Sequence, residues 1–143
     1  MDKIASFTVN HLALEPGVYV SRVDRDPATG AVVTTFDLRV TAPNREPVMD
    51  TAAVHAIEHL GATYLRNDPA WRDQVLYFGP MGCRTGFYFL TRDTVSGADA
   101  IRLVQETLQY VLDFTGEIPG GKRQECGNYL AHDLEGAKAM ARE

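Results

Sequence analysis

Apolar and polar positions alternate, then fall into turns, then recur at helical spacing, and this pattern lays out the chain. Residues Ser6–His11 alternate at Phe7 and Val9 and read as a short strand. Val18–Val23 alternates with one face wet, and a loop of turn formers follows, Asp24-Arg25-Asp26-Pro27-Ala28-Thr29-Gly30. Ala31–Val40 is β-branched and alternating, so it pairs with the preceding strand as an antiparallel hairpin. After the break at Pro43-Asn44-Arg45-Glu46-Pro47, Asp50 or Thr51 can cap a helix with an apolar stripe at Val54, Ile57, Gly61, Tyr64 and Leu65. It should end before Asn67-Asp68-Pro69. Gln74–Gly79 and Arg84–Arg92 read as two further strands about a tight turn at Pro80–Cys83. Ser96 caps an amphipathic helix through Ile101, Val104, Leu108, Val111 and Leu112, stopping at Gly116, and a last helix is expected from Cys126 to Arg142. Strands come early and helices are interspersed without a βαβ rhythm. The expectation is one α+β domain over residues 1–143, an antiparallel sheet of four or five strands packed against three or four helices.

Length and charge narrow the classes. A chain of 143 residues fits one core, and a formal charge of −5 argues against a nucleic-acid surface. Its basic residues are scattered, with only Lys122-Arg123 adjacent. The apolar runs are too short for a bilayer, so no membrane is expected as a partner. Met1-Asp2-Lys3 leads into no apolar signal segment, and two cysteines in such a chain point to a reducing cytoplasm, where thiols serve as ligands, catalysts or buried groups.

The candidate chemistry centres on His55-Ala56-Ile57-Glu58-His59. On a helix, His55 and His59 lie one turn apart on the same face and can hold one divalent cation from one side. Glu58 at the edge of that face can move protons for whatever the metal activates. This is the inverted order H-x-x-E-H. The histidine face overlaps the apolar stripe, and a buried imidazole pair without partners or a metal would be costly. Cys126, at the expected start of the last helix, would have its thiol acidified by the helix dipole and could supply a third ligand, leaving one metal position open. The plainer reading is a small buried hydrophobe.

Cys83 sits in the glycine-flanked turn Met81-Gly82-Cys83-Arg84-Thr85-Gly86 and reads either as a nucleophile or proton carrier, or as a turn cysteine filling a gap. Arg39 is two residues from Asp37 and is expected to pair with it only poorly. It could bind a carboxylate or hydroxyl instead, although His11 and Arg39 taken singly read as strand-end surface residues. His132 reads as solvated or as a support for a ligand.

Five stretches, Ser6-Phe7-Thr8-Val9-Asn10-His11, Phe36-Asp37-Leu38-Arg39, His55-Ala56-Ile57-Glu58-His59-Leu60, Gly79–Tyr88 and Cys126-Gly127-Asn128-Tyr129, are together similar in order and spacing to the S-ribosylhomocysteine lyase family. Its members make the precursor of autoinducer-2. The resemblance covers nearly the whole chain. It implies a homodimer with two active sites at the subunit interface, each with one divalent metal, iron(II) natively and zinc or cobalt on purification. His55, His59 and Cys126 correspond to the ligands, Glu58 and Cys83 to the acid/base residues, and Ser6, His11 and Arg39 to residues binding the ribose part. It implies S-ribosylhomocysteine as substrate, with Cys83 serving the early proton transfers and Glu58 the later ones.

Two other readings fit parts of the pattern. An inverted zinc peptidase would add Glu117, Glu125 or Glu135 to His55 and His59 and use Glu58 to activate water. A non-catalytic metal-stabilised binding module would close the coordination shell with a fourth ligand such as His132.

Overall fold

The structure is a computed structural model and describes residues 1–143. Four antiparallel strands, β1 (Gly17–Arg25), β2 (Val32–Arg39), β3 (Val75–Pro80) and β4 (Gly86–Arg92), form one sheet in the order β1-β2-β4-β3. The two central strands are the most β-branched and aromatic, as a doubly flanked position demands. Cross-strand register decides which side chains share a face. Phe36, Phe89 and Phe78 stand directly opposite one another and belong to the core. Arg22, Thr35, Leu90 and Tyr77 form the neighbouring row, pointing from the other face of the sheet and outside that core.

The phenylalanines share one core with Ile57 and Leu60 of α1 (Thr51–Asn67) and with Leu103 and Val104 of α2 (Gly97–Asp113). Each helix begins at the cap its sequence announces. The Asp50 carboxylate accepts from the Ala52 and Ala53 amides, and the Ser96 hydroxyl accepts from the Asp99 amide. No helix is long and apolar enough to cross a membrane.

Three sequence expectations change. The first strand is instead a single 3-10 turn at Ala5–Phe7 followed by further turns. The Thr8 hydroxyl donates to the Ala5 carbonyl, the Leu12 amide donates to Asn10 Oδ1, and Phe7 and Val9 are exposed, so local side-chain bonding wins where no strand partner stands alongside. β4 starts at Gly86 rather than Arg84, because Arg84 takes a left-handed backbone (φ +58°). The last helix, α3 (Leu134–Arg142), begins eight residues after Cys126, capped by Asp133. Residues 127–130 form turns, with the Asn128 amide directed at Cys126 Sγ and the Ala131 amide at the Asn128 carbonyl. Cys126 therefore owes nothing to a helix dipole.

Candidate active site

Helix α1 presents His55 and His59 with ring centroids 4.7 Å apart and planes at 88°. The long loop between α2 and α3 runs back beside them. Its Ala131 carbonyl accepts from His55 Nδ1 and its Pro119 carbonyl from His59 Nδ1, both at 2.8 Å. A carbonyl can only accept, so both Nδ1 atoms carry protons, and Nε2 is the atom each ring has left to offer a metal. Gly120, at φ +69°, lets the loop turn there, where a Cβ would stand 3.1 Å from His59 Nδ1. The same loop brings Cys126 Sγ to 3.5 Å from His55 Nε2. Two donors of a tetrahedral zinc-like ion, one sulfur and one nitrogen, are separated by ~3.6 Å. The spacing fits a shared cation.

His132 joins this group, and the solvated position expected of it is corrected. Ligand atoms of His55, His59, Cys126 and His132 all lie within 4.8 Å of one another. Both ring nitrogens of His132 are buried without a hydrogen-bond partner. Burial, reinforced by the two neighbouring imidazoles, lowers its pKa from the usual histidine value and so favours the neutral ring. Buried nitrogens of this kind cost about 1–3 kcal/mol unless something satisfies them, which suits a pocket that takes a cation and its oxygen ligands. His132 differs from the other three donors in geometry. It stacks on His55 at 3.9 Å and 21°, so the two rings would offer their nitrogens from separate, nearly parallel planes. No carbonyl fixes its orientation, whereas both α1 imidazoles are held. The sequence offers His132 only as a support or a possible fourth ligand, because turns, not a helix, carry it back to the pair. None of Glu117, Glu125 and Glu135, the ligands a peptidase reading needs, belongs to the group.

A second cluster gathers at the end of β2. Arg39 is 4 % exposed and donates to both Asp37 carboxylate oxygens, to Thr85 Oγ1 at 2.7 Å, and toward Cys83 Sγ at 3.8 Å. The weak pairing and surface position expected of Arg39 are both corrected. Alternate residues on a strand share a face, and the long guanidinium folds back to meet the carboxylate in bidentate fashion. Burial alone would push the Cys83 thiol up, but hydrogen bonds from the Thr85 hydroxyl and amide and the Arg39 charge together bring it below the ordinary thiol range.

Glu58 lines a cavity of about 390 Å³ with His59, Tyr77 and Pro119. Ser6 lines another, of about 420 Å³, that shares Tyr77. His11 bonds through Nδ1 only to the Val9 carbonyl. Within one chain the fold thus unites His55, His59 and Cys126, and separately Arg39 and Cys83. No hydrogen bond joins those two clusters to each other, to Ser6 or to His11.

A small α+β domain with two oriented imidazoles on one helix and a loop thiol facing them has the make-up of a mononuclear metalloprotein. Residues 4–143 match the family described as S-ribosylhomocysteinase (LuxS), and the chain belongs to that family. It is similar to the S-ribosylhomocysteine lyase of Clostridium acetobutylicum, 55 % identical over 94 % of this chain and 84 % of that one. It is also similar to the enzymes of the same name from Phocaeicola vulgatus, 52 % identical over 96 % of this chain and 84 % of that one, and Finegoldia magna, 54 % identical over 96 % and 86 %.

Proposed function

We propose that this chain is a carbon–sulfur lyase that cleaves the thioether of S-ribosylhomocysteine to homocysteine and 4,5-dihydroxy-2,3-pentanedione, the autoinducer-2 precursor. The observation that carries the reading is the convergence of His55, His59 and Cys126, with the Cys126 sulfur 3.5 Å from His55 Nε2, in a chain of this family. These three residues hold one divalent ion per subunit, iron(II) in the cell, and zinc or cobalt can replace it. A mixed imidazole–thiolate set suits such borderline-soft ions. When bound, the ion supplies Lewis acidity to a sugar carbonyl and its neighbouring hydroxyl, which acidifies the adjacent C–H.

The thioether starts without activation, since elimination from C5 needs an acidic proton at C4 and hence a carbonyl at C3. Two successive shifts take the carbonyl from C1 to C2 and then to C3, each moving one proton between neighbouring carbons and one between their oxygens. Cys83, whose thiolate form Thr85 and Arg39 favour, takes and returns the early protons. Glu58, beside His59 in its cavity, handles the later ones and removes the C4 proton as the homocysteine sulfur departs from C5 with the bonding electrons. Ser6, His11 and Arg39 hold the sugar hydroxyls.

The protein acts as a homodimer with its active sites at the interface, in the cytoplasm. Exposed Phe7 (71 %), Leu12 (68 %) and Tyr77 (47 %), on or near the elements that carry Ser6 and His11, support a covered surface there. The two free cysteines support a reducing compartment.

Thiol release tests the reading. Iron-loaded protein given S-ribosylhomocysteine should release one free thiol per substrate consumed, read with a thiol reagent, and should cleave no peptide. Metal-dependent melting without thiol release would instead support a non-catalytic module, and peptide cleavage would support the inverted peptidase.

A further inference from the structure

We infer that Arg45 is a positioning residue, which together with Tyr19 anchors residues 1–16 as one arm and so aims Ser6 and His11 at the sugar. The inference deepens the lyase reading above, on which the roles of Ser6 and His11 rest.

Most polar bonds of the arm stay within it. The Phe7 amide donates to the Ile4 carbonyl, the Thr8 amide and hydroxyl to the Ala5 carbonyl, and the Ala13 amide to the Asn10 carbonyl. His11 Nδ1 donates to the Val9 carbonyl, and the Leu12 amide to Asn10 Oδ1. Phe7, Val9 and Leu12 are exposed, so apolar burial within the chain does not seat the arm. Its hydrogen bonds and ion pairs to the rest of the chain come from two residues, Arg45 and Tyr19. Arg45 Nη2 donates to the Leu14 carbonyl at 2.8 Å and lies 2.7 Å from a Glu15 carboxylate oxygen. The Tyr19 hydroxyl donates to the Glu15 carbonyl at 2.9 Å. Two consecutive carbonyls are thus held by donors on different elements, which fixes the direction of the chain as well as its place. Gly17, at φ +152°, then makes the bend into β1 with a backbone angle that side chains rarely allow.

The ion pair by itself adds little. The side chains of Arg45 and Glu15 are 41 % and 61 % exposed, and such open pairs contribute little to the fold. Its mount gives Arg45 its leverage. Arg45 sits in the turn that follows β2. The Arg45 and Glu46 amides both donate to the Ala42 carbonyl, the Glu46 carboxylate accepts from the Ala42 amide at 2.6 Å, and Asn44 takes φ +61°. Just before this turn, the Val40 and Thr41 amides donate to the Thr85 carbonyl. Thr85 is the residue whose hydroxyl meets both Arg39 and Cys83. The arm therefore hangs from the same frame that holds Arg39 and Cys83, and Arg45 is the strut between them. A small rotation at Leu14 and Glu15 would swing His11 and, further out, Ser6 away from that frame.

The test measures thiol release from S-ribosylhomocysteine by iron-loaded parent protein, Arg45→Ala and Arg45→Lys, each with and without Ser6→Ala. Misplacing a binding group by about 1 Å costs up to ~100-fold, and an arm freed at its root still visits the productive position, so Arg45→Ala should lose about tenfold in kcat/KM. The loss should fall mostly on KM, with metal content and the pH profile of Cys83 alkylation at parent values. Arg45→Lys, which can still donate to the Leu14 carbonyl, should recover most of it. Ser6→Ala should cost much less in the Arg45→Ala protein than in the parent, because its hydroxyl is already out of place. No loss in Arg45→Ala, a loss that simply multiplies with that of Ser6→Ala, or a Cys83 profile that moves with Arg45→Ala would overturn the inference. Chymotryptic cleavage after Phe7 and Leu12 separates this failure from failure of the lyase reading. In a protein that releases no thiol, cleavage several-fold faster in Arg45→Ala than in the parent and Arg45→Lys keeps the anchor and sinks the lyase. Equal cleavage of all three sinks the anchor whatever the turnover.

Discussion

Cys126→Ala abolishes tight metal binding and thiol release together, whereas His132→Ala retains about one ion per chain. The expectation follows from how each donor is held. The α1 imidazoles are locked by the Ala131 and Pro119 carbonyls at 2.8 Å, and the Cys126 sulfur completes their set at 3.5 Å from His55 Nε2. Loss of a residue that merely orients a ligand weakens metal affinity by about 10–100-fold, so loss of the thiolate itself should exceed ~100-fold. His132 has no orienting bond and lies stacked on His55. Its removal should change affinity by no more than an orienting residue would. Metal content after dialysis against a weak chelator reads both variants. If Cys126→Ala kept its ion and His132→Ala lost it, the ligand set would have to be redrawn around three imidazoles.

Glu58→Gln and Cys83→Ala each lower kcat by about 10²–10⁴-fold, the usual worth of a positioned proton carrier, while metal content stays at the parent level. Neither residue belongs to the four-donor group, so loss of activity cannot be traced to loss of the ion. The sign of the pH dependence is set by Cys83. Its thiol lies below the ordinary range, so the thiolate persists to lower pH than a free cysteine, and reactivity is lost as the pH falls through that lowered value. Alkylation by iodoacetamide should therefore have its midpoint below that of an unperturbed thiol. Thr85→Val, which removes the hydroxyl at 3.1 Å from Cys83 Sγ, should raise that midpoint. Parent turnover by both variants would refute the role assignments even with the lyase activity intact.

Local signals made the sheet and α1 legible. The alternation of Ala31–Val40 became central strand β2 within one residue at each end, and Asp50 caps α1 as its side chain predicts. The same helix put His55 and His59 one turn apart, which the spacing alone required. Features made by the return of distant chain were hidden. Cys126 reaches the histidines through a run of turns, so the helix start expected there was replaced by bonds from Asn128 and to Ala131 that no periodicity records. His132 entered the metal group by the same route. Strand alternation alone does not announce the Arg39–Asp37 pair, because it takes a guanidinium long enough to fold back onto its same-face neighbour. Thr85, which sets the Cys83 thiol, could have been suspected from its place two residues along the same turn.

X-ray absorption at the metal edge of the iron- or cobalt-loaded protein tests the central claim most directly. The account predicts one sulfur at ~2.3 Å and two imidazole nitrogens, with oxygen completing the shell and changing when S-ribosylhomocysteine is added. A shell of one sulfur and three imidazoles that ignores the substrate, or a shell without sulfur, would contradict it.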